Sequence, residues 1–335
     1  MKRIAILLTI IIFALTGCEV QGNGSYSETK FLFNTVAQIT IYKGDKSSLQ
    51  QAFNLCEQYE NLLSKTIETS DVSKINNSGG TPIAVSDQTA ELIEKAIKFG
   101  KLSNGCFDIT IYPASSLWNF TDKADIIPEK DALDDAVKLI DYKNISVDGN
   151  KVSAINGAKI DLGGIAKGFI ADKVVELLKN KGVTSAIVNF GGNVATIGKN
   201  TDGNAFNIGI RTPFSEDSEA VSAVVKAENV SVVTSGTYER FFEKDGVIYH
   251  HILDPHTGWP VNNELDSVTI ISSSSTTADA LSTSCFVMGS EAGMKLIESL
   301  DDTQAVFLLK SGKMLLSSGL QLDSSGETPI IILKG

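Results

Sequence analysis

The chain is organised around the stretch from Tyr249 to Thr283, which reads YHHILDPHTGWPVNNELDSVTIISSSSTTADALST. All three histidines of the chain lie in the first eight residues of this stretch. Its middle has the apolar pattern of a β-strand, and its end carries polar side chains at the predicted start of a helix. No other segment holds so much reactive chemistry. We therefore interpret the glycine-rich and aspartate-bearing signals elsewhere as contributions to the same site.

The composition is that of a globular protein with an acidic surface. The chain has 335 residues, a length that suits one large or two ordinary domains. It is 42% hydrophobic and 21% charged, which is enough apolar material for a packed core. The formal net charge of −11 argues against nucleic acid as a partner. A polyanionic ligand would have to be held locally, by glycine-rich backbone, a metal ion or a few placed cations.

The first residues have the pattern of a bacterial lipoprotein signal. Lys2-Arg3 forms a basic start, residues 4–14 are apolar, and the Leu-Thr-Gly-Cys sequence that ends at Cys18 resembles a lipobox. Lipidation of Cys18 would hold the protein at the extracytoplasmic face of the bacterial cell membrane; an ordinary signal peptide with an incidental cysteine is the alternative. No later apolar run is long enough to span a bilayer. The expected divisions are a signal peptide over 1–17, a flexible tether over 18–28 and one functional domain of two lobes over 29–335.

Three further cysteines, Cys56, Cys106 and Cys285, are widely spaced. This spacing matches neither a metal-binding pattern nor a disulfide framework. An extracytoplasmic location would permit one disulfide, but we expect buried free thiols.

Strand patterns outnumber helical patterns, and many neighbouring strands read as hairpins, which predicts an α+β fold. A turn-rich stretch is predicted over 71–80. Helical patterns cover 47–64, 86–103, 129–140, 169–181, 277–289 and 292–300. Strand patterns cover 30–42, 145–147, 151–155, 184–189, 194–197, 207–211, 220–225, 230–233, 266–272, 304–309 and 313–317.

Asp279 and Thr283 are four residues apart, so a helix would place both side chains on one face. With the neighbouring Ser282 they offer carboxylate and hydroxyl oxygens without histidine or cysteine. Such a set suits a hard cation, and Mg²⁺ best, because it keeps positions open for water and substrate phosphates. A structural interpretation competes with this one. A helix that starts near Thr277 could use Thr276 and Asp279 as a capping pair.

Three other features permit both a functional and a structural interpretation. His251 could be a general base beside a metal–phosphate site, or a neutral core histidine; with the Asp279 cluster in view we favour the base. The Gly163-Gly164 turn leads from a strand into a helix, so it could present backbone N–H groups to a phosphate. It could equally be a tight turn that needs glycine for a positive φ. Asp108 could line a pocket or bond its own backbone in a turn, and local sequence favours the turn.

The order of motifs over nearly the whole chain after the tether resembles one family, the FAD:protein FMN transferases or ApbE family. The matching segments are 105–110 (GCFDIT), 117–120 (LWNF), 161–168 (DLGGIAKG), 189–193 (NFGGN), 234–236 (TSG) with Tyr238, 251–258 (HILDPHTG) and 279–283 (DALST).

The resemblance implies a fold and a reaction. The fold would be ApbE-like and T-fold-related, with mixed, largely antiparallel sheets, flanking helices and a flavin site in a cleft between two lobes. In the reaction, Mg²⁺ binds the pyrophosphate of FAD, AMP leaves, and FMN passes to a Thr or Ser hydroxyl of an acceptor protein, such as a membrane redox-complex subunit. Two alternatives remain open: an FAD pyrophosphatase and a non-catalytic FAD-binding lipoprotein.

The resemblance also implies roles by position. His251 would activate the acceptor hydroxyl, and Asp279 would act with it in catalysis. The metal positions are Gly164 (through its carbonyl), Asp279, Ser282 and Thr283. The FAD-contacting positions are Phe33, Cys106, Phe107, Asp108, Asp161, Lys167 and Leu253.

The chain departs from the family pattern at three points. The early Met-Gly-Thr of the family is Phe33-Asn34-Thr35 here, an aromatic position is occupied by Thr66, and the Arg that often follows Asp-Pro is His256. These differences concern the flavin and adenine contacts rather than the metal positions.

Overall fold

The computed structural model describes residues 24–120, 126–217 and 219–334. The expected signal peptide and Cys18 lie outside these residues. Within the described ranges, no helix has the length and apolarity needed to cross a membrane. The α-helices are α1 (Ser47–Leu63), α2 (Asp71–Asn76), α3 (Asp87–Leu102), α4 (Tyr112–Ser115), α5 (Lys130–Val137), α6 (Ala166–Asn180), α7 (Ser275–Met288) and α8 (Ser290–Glu298).

The strands mostly follow one another in runs rather than in repeating βαβ units. They are β1 (Tyr26–Leu32), β2 (Thr35–Lys43), β3 (Ile83–Ala84), β4 (Ile145–Asp148), β5 (Lys151–Ala154), β6 (Ser185–Phe190), β7 (Asn193–Ile197), β8 (Phe206–Arg211), β9 (Val221–Ala227), β10 (Ser231–Gly236), β11 (Phe241–Lys244), β12 (Val247–His250), β13 (Leu265–Ser272), β14 (Thr303–Leu309), β15 (Met314–Leu316), β16 (Leu320–Asp323) and β17 (Ile330–Leu333).

The centre of the fold is an eight-stranded sheet in the order β1-β2-β6-β7-β10-β13-β14-β15, and every neighbouring pair in it is antiparallel. A four-stranded sheet, β16-β17-β9-β8, contains one parallel pair, between β17 and β9. A three-stranded sheet, β3-β5-β4, and the two-stranded ribbon β11-β12 complete the set. The α+β class predicted from sequence is confirmed.

The strands at the middle of the large sheet are buried on both faces, which explains why they read as continuous apolar runs. In β10, Val232 packs against the four-stranded sheet, whereas the next residue, Val233, packs against helices α7 and α8. Ile271 and Ile270 of β13 divide between the two faces in the same way. This alternation follows from the two-residue period of a strand. The large sheet therefore separates a sheet-on-sheet core from a helix-on-sheet core.

Helices α6 and α7 are held unusually close together, and this contact positions the polar residues of α7. A Cβ built on Gly168 of α6 would lie 2.3 Å from the carbonyl oxygen of Ser275 and 2.7 Å from Asp279 Cβ. Asp172 of α6 accepts four hydrogen bonds from the first residues of α7. The donors are Ser274 Oγ (2.9 Å), Ser275 N (2.7 Å), Thr276 N (2.9 Å) and Thr276 Oγ1 (2.6 Å).

Several boundaries differ from the sequence-based predictions. The strand predicted over 30–42 is a hairpin, because Phe33 and Asn34 both adopt left-handed φ angles (56° and 57°) and reverse the chain. Strand β1 begins at Tyr26, so the tether predicted over 18–28 ends three residues too late. The turn-rich stretch contains the short helix α2, capped by Ser70. Strands β16 and β17 were not predicted.

Candidate active site

Asp279 and Thr283 lie one turn apart on α7, and both face the start of α6. The Asp279 carboxylate is almost fully buried. Its Oδ2 accepts a hydrogen bond from the backbone N–H of Gly168 at 2.8 Å, and its Oδ1 lies 3.4 Å from Lys167 Nζ. Thr283 faces Gly164, since a Cβ built on that glycine would lie 3.6 Å from Thr283 Oγ1. The structure thus brings together the carboxylate, the hydroxyl and the glycine turn that the sequence singled out.

Asp279 does not cap its own helix. The N-cap of α7 is Ser274, whose side chain accepts a hydrogen bond from Thr277 N at 3.2 Å. The Thr276 hydroxyl donates to Asp172 instead, at 2.6 Å. The capping-pair interpretation is therefore wrong, and the Asp279 carboxylate is directed at α6.

The hydroxyls of Ser282 and Ser235 connect α7 to β10. Ser282 Oγ donates to the carbonyl oxygen of Asp279 at 2.8 Å and lies 2.7 Å from Ser235 Oγ. Ser235 Oγ also lies 3.4 Å from Thr283 Oγ1. Ser282 is thus hydrogen-bonded on two sides and fully buried. Among the described residues, the Asp279 Oδ1 and Thr283 Oγ1 atoms have hydrogen-bond contacts only at 3.4 Å, which leaves them better able to bind a metal ion.

The glycine-rich turn before α6 needs its glycines for close approach. Neither Gly163 nor Gly164 has a φ in the left-handed region, so the positive-φ interpretation is wrong. A Cβ on Gly164 would lie 3.1 Å from the Phe107 ring. The Gly163 N–H donates to Asp161 Oδ1 at 2.9 Å, and Asp161 Oδ2 pairs with Lys65 Nζ at 2.5 Å. The turn is held by a carboxylate that is itself paired with a cation.

His251 lies at the base of the β11-β12 ribbon, and its ring is held neutral. Burial, together with the nearby charges of Arg240 and Lys167, lowers its pKa to about 3. The Nδ1 atom is buried and has no hydrogen-bond partner among the described residues. Ile252, the next residue, packs in the same core cluster as Ala278 and Leu281 of α7, which brings the His251 segment to the helix that carries Asp279. A neutral imidazole with an unused ring nitrogen can accept a proton.

The other two histidines have structural partners. His250 is buried; its Nε2 lies 2.9 Å from the Val261 carbonyl oxygen, and its Nδ1 accepts a hydrogen bond from Ile252 N. Burial lowers the pKa of His250 to about 4. His256 is exposed, and its Nδ1 lies 2.9 Å from Asp254 Oδ1. His250 and His256 thus both form hydrogen bonds with residues of the loop that follows β12.

Phe33 lies in the β1-β2 turn, which approaches the site from the edge of the large sheet. Its backbone N–H donates to Glu60 Oε1 at 2.7 Å, and its ring contacts that of Phe190 edge-on at 5.4 Å. The Arg240 guanidinium donates to the carbonyl oxygen of Asn34 at 2.9 Å. Arg240 therefore joins this turn to the ribbon that carries His251.

The segment 105–110 contributes one side of the site. The Phe107 ring is buried beside Gly164, as described above. Burial raises the pKa of the partly exposed Cys106 thiol, and the negative charge of Asp254 adds to this. The Asp108 carboxylate accepts hydrogen bonds from Thr110 N, Thr110 Oγ1 and Tyr142 N at 2.6–2.8 Å, and burial raises its pKa. Asp108 thus makes the turn that its structural interpretation predicts, and its contact with FAD stays a prediction.

Leu253 is buried in an aromatic cluster beside the His251 loop. It packs with Trp118 and Phe242, and its backbone forms an isolated bridge with Pro260. The Trp118 indole N–H donates to the carbonyl oxygen of Gly258 at 2.9 Å. The cluster fixes the loop, and the assignment of Leu253 to the flavin pocket stays a prediction. The cysteines Cys56, Cys106 and Cys285 are free; Cys56 and Cys285 are buried as expected, whereas Cys106 is partly exposed.

The donor set fits a hard cation with few protein ligands. Among the residues that the structure describes, no three His, Cys, Asp or Glu side chains cluster to hold a metal. One carboxylate, one hydroxyl and the backbone at Gly164 leave about half of an octahedron to water and substrate oxygens, and Mg²⁺ sites usually keep such open positions. The residues present therefore fit Mg²⁺ better than Zn²⁺, which prefers nitrogen and sulfur ligands.

Four residues with clear roles in this geometry were given no role in the sequence analysis. Ser235 lies in the motif over 234–236, which was the available signal, and Arg240 follows Tyr238 shortly afterwards. Lys65 and Asp172 make contacts with residues 96 and 102 to 104 positions away, which no local pattern reveals.

The fold and the site define a class of protein. It is an α+β protein. Its site combines glycine-rich backbone, two lysines, oxygen donors and a neutral histidine, and this set of groups is suited to binding an anionic phosphate ligand. The chain belongs to the ApbE family, whose model matches residues 33–307.

Known relatives are similar over most of their length. The chain is 35% identical to the FAD:protein FMN transferase of Treponema pallidum (strain Nichols), covering 88% of this chain and 87% of that one. It is also 35% identical to the FAD:protein FMN transferase of Klebsiella pneumoniae (strain 342), covering 90% and 94%. Among solved structures, the ApbE protein of Thermotoga maritima matches with a TM-score of 0.79 and 33% identity, covering 88% and 97%. The flavin transferase ApbE of Vibrio cholerae matches with a TM-score of 0.79 and 30% identity, with the same coverage.

Proposed function

We propose that this chain transfers the FMN part of FAD to a hydroxyl of an acceptor protein and releases AMP. The names of its relatives support FMN transfer from FAD to a protein. The observation in this structure that carries the proposal is the convergence of Asp279 Oδ1, Thr283 Oγ1 and the Gly164 turn beside a neutral His251. Binding FAD alone would not require a proton acceptor at this place.

The pyrophosphate of FAD would lie against the start of α6. Lys167 is partly exposed and provides a positive charge there, with the backbone of the glycine-rich turn. Asp279, Thr283 and the Gly164 carbonyl would hold Mg²⁺. Ser282, which the family pattern also implies as a metal position, has its hydroxyl engaged by the Asp279 carbonyl oxygen and Ser235, so it would support α7 from the side of β10 instead. When bound, Mg²⁺ would neutralise phosphate charge and polarise the phosphoryl oxygens.

His251 would take the proton of the acceptor hydroxyl as its oxygen attacks the FMN phosphorus. The new phosphoester P–O bond forms while the P–O bond to the AMP phosphate breaks, so AMP carries away the bridging oxygen. A pKa of about 3 makes the free enzyme's imidazole a weak base. Bound FAD brings phosphate charge near the ring, and a nearby negative charge raises the pKa of an imidazole. FAD binding would therefore raise the pKa of His251 and make it a stronger base.

The remaining contacts with FAD are assigned to the residues around this centre. Phe33, Cys106, Phe107 and Asp108 line the side formed by the β1-β2 turn and the segment 105–110, and Leu253 lies in the loop after His251. Asp161 would meet the substrate through the turn that it shares with Lys65. We also propose that Cys18 is lipidated and that the domain works at the extracytoplasmic face of the cell membrane, where membrane redox-complex subunits are candidate acceptors.

An AMP-release assay tests the proposal. The mature domain is incubated with FAD and Mg²⁺, with and without a purified candidate acceptor, and AMP and protein-bound flavin are measured. Acceptor-dependent AMP release that matches covalent flavin supports the transferase. AMP released without an acceptor and without label would indicate an FAD pyrophosphatase. Bound but intact FAD would indicate a non-catalytic flavin carrier and contradict the proposal.

A further inference from the structure

The β1-β2 turn has a strained backbone. Leu32 pairs with Thr35, so Phe33 and Asn34 form a two-residue hairpin loop, and both have left-handed φ angles (56° and 57°). Such a loop normally carries asparagine and glycine, whereas a bulky aromatic residue in this conformation costs energy. Strain of this kind persists only where surrounding contacts impose it, and it is concentrated at functional sites. The contacts that hold this turn are therefore candidates for a functional role.

Two charged side chains hold the loop, one at each of its residues. From α1, Glu60 Oε1 accepts a hydrogen bond from the Phe33 N–H at 2.7 Å. From the ribbon, the Arg240 guanidinium donates to the Asn34 carbonyl oxygen at 2.9 Å, across 206 positions of sequence. Hydrogen bonds to charged groups are stronger than those between neutral groups. The turn that carries Phe33 is thus clamped between α1 and the ribbon.

Arg240 is also the residue directly opposite His251 in the ribbon. The His251 N–H donates to the Arg240 carbonyl oxygen at 3.1 Å, which extends the β11-β12 ladder by one pair beyond Phe241 and His250. Opposite residues of an antiparallel pair have their side chains on the same face, with Cβ atoms about 5 Å apart. The stem of Arg240 therefore leaves the ribbon on the face that carries the His251 side chain.

The positive charge of Arg240 acts on the His251 ring. Burial is the largest cause of the low pKa of His251, about 3, and the charge of Arg240 comes next, ahead of His250 and Lys167. These charges act from the β10-β11 turn, from β12 and from α6. His250 is itself neutral near pH 7, because burial lowers its pKa to about 4. A cation beside an imidazole favours the neutral ring, so Arg240 opposes protonation of His251.

We infer that Arg240 is a positioning residue of the transfer reaction, which locks the turn of Phe33 onto the strand of His251 and places a fixed positive charge beside that ring. This role rests on the proposed function, in which Phe33 contacts FAD and His251 takes the proton of the acceptor hydroxyl. One side chain then couples the two parts of the site. FAD meets a turn that is already in place, and the ring stays neutral until the phosphates of FAD approach.

Two substitutions at Arg240 separate its hydrogen bond from its charge. Arg240→Gln removes the charge and the long reach, so we expect the FAD Kd to rise about tenfold, as for the loss of one hydrogen bond to a charged group. The pH at which kcat for AMP release falls to half on the acid side should also rise by about one unit, because a cation beside the imidazole is lost. Arg240→Lys keeps the charge but not the planar fork, so the FAD Kd should rise while this pH stays at the wild-type value.

Two other variants are matched controls. Glu60→Ala releases the same turn from the side of α1, so it should raise the FAD Kd and leave the acid side of the kcat profile unchanged. Arg211→Gln removes an arginine that lies over the Tyr238 ring at 5.6 Å, and it should change neither value.

The outcomes distinguish this role from the proposed function. If Arg240→Gln matches the wild-type chain in FAD Kd and in the acid side of kcat, Arg240 has no positioning role and the proposed function is unaffected. A change in only one of the two values, or an equal change in Arg211→Gln, would also overturn the inference. If the wild-type chain released no AMP, the proposed function would fail. NMR titration of the His251 ring in the FAD-bound chain would then replace the kinetic profile and still decide the role of Arg240.

Discussion

At the scale of single residues, Asp279 is the most informative position. Its carboxylate both joins α7 to the Gly168 N–H and offers one oxygen towards Thr283 and Gly164. Asp279→Asn keeps the size and a hydrogen-bond acceptor but removes the charge that a cation requires. We expect Mg²⁺-dependent AMP release to fall at least about 100-fold, since even outer-shell partners of a metal often cost 10–100-fold.

The hydroxyl of Thr283 provides a matched pair of variants on the same helix. Thr283→Val should weaken the apparent Mg²⁺ affinity, measured as the Mg²⁺ concentration for half-maximal rate, by roughly tenfold or more. Ser284→Ala is the control, because Ser284 Oγ is satisfied by the Ala280 carbonyl oxygen at 2.7 Å and faces away from the site. Equal effects of the two substitutions would show that α7 is merely destabilised.

The neutral state of His251 predicts a specific pH dependence. The pKa of the free ring is lowered to about 3, and FAD should raise it. The kcat of transfer, which reports the enzyme–FAD complex, should therefore lose activity on the acid side at a higher pH than the ring of the free enzyme titrates. NMR titration of the ring with and without bound FAD gives the two values. An identical His251 pKa in both states would contradict the role of substrate charge.

At the scale of secondary structure elements, the contact between α6 and α7 is what assembles the site. Asp172 accepts four hydrogen bonds from the start of α7. Asp172→Ala would leave these donors without their anionic partner, so we expect a loss of about 2–4 kcal/mol in the free energy of unfolding. Glu176→Ala, an exposed carboxylate on the same helix, should cost little. Urea denaturation measures both, and similar losses would contradict the capping role.

Local sequence patterns predicted most helices and strands, because the spacing of their apolar residues matches the period of the element that forms. The helix over 86–103 forms as α3 with Ser86 as its cap, and the strand over 266–272 forms as β13. The β1-β2 turn was missed because Phe33-Asn34 contains no glycine to mark it. Strand β17 was missed because it is short and its parallel partner, β9, lies about a hundred residues upstream.

Only part of the site was predictable from the sequence, because several of its contacts join residues that are far apart in the chain. The i, i+4 spacing of Asp279 and Thr283 is a local signal, and it correctly placed both on one helix face. The hydrogen bond from Gly168, the pairing of Asp161 with Lys65 and the bridge from Arg240 to Asn34 join positions far apart in the chain. Such contacts depend on the packing of the large sheet and its helices, so sequence spacing alone could not show them.

At the scale of the whole molecule, two histidines with lowered pKa values should make the protein sensitive to acid. Burial lowers the pKa of His250 to about 4 and of His251 to about 3, from an ordinary 6.5. Above pH 6.5 neither state binds these protons, so stability is unaffected. As the pH falls below 6.5, the unfolded chain takes up protons that the folded chain refuses, and stability decreases.

The expected size of this effect is measurable. At pH 5, each buried histidine should cost about 2 kcal/mol, at roughly 1.4 kcal/mol per pH unit. Urea denaturation at pH 7 and pH 5 should show that the free energy of unfolding falls less between these pH values for His250→Asn than for the wild-type chain. The exposed His256→Asn is the control and should keep the wild-type loss. A His250 variant with an unchanged pH dependence would contradict the buried, neutral state of this ring.

We propose that a hard-cation site on α7, a glycine-rich turn and a neutral base act together to move FMN onto another protein. Mass spectrometry of the acceptor after incubation with FAD and Mg²⁺ is the decisive measurement. We expect the wild-type chain to add one FMN by a phosphoester to a Thr or Ser of the acceptor, and Asp279→Asn to add none above background. An unmodified acceptor with the wild-type chain, or equal labelling by Asp279→Asn, would contradict this proposal.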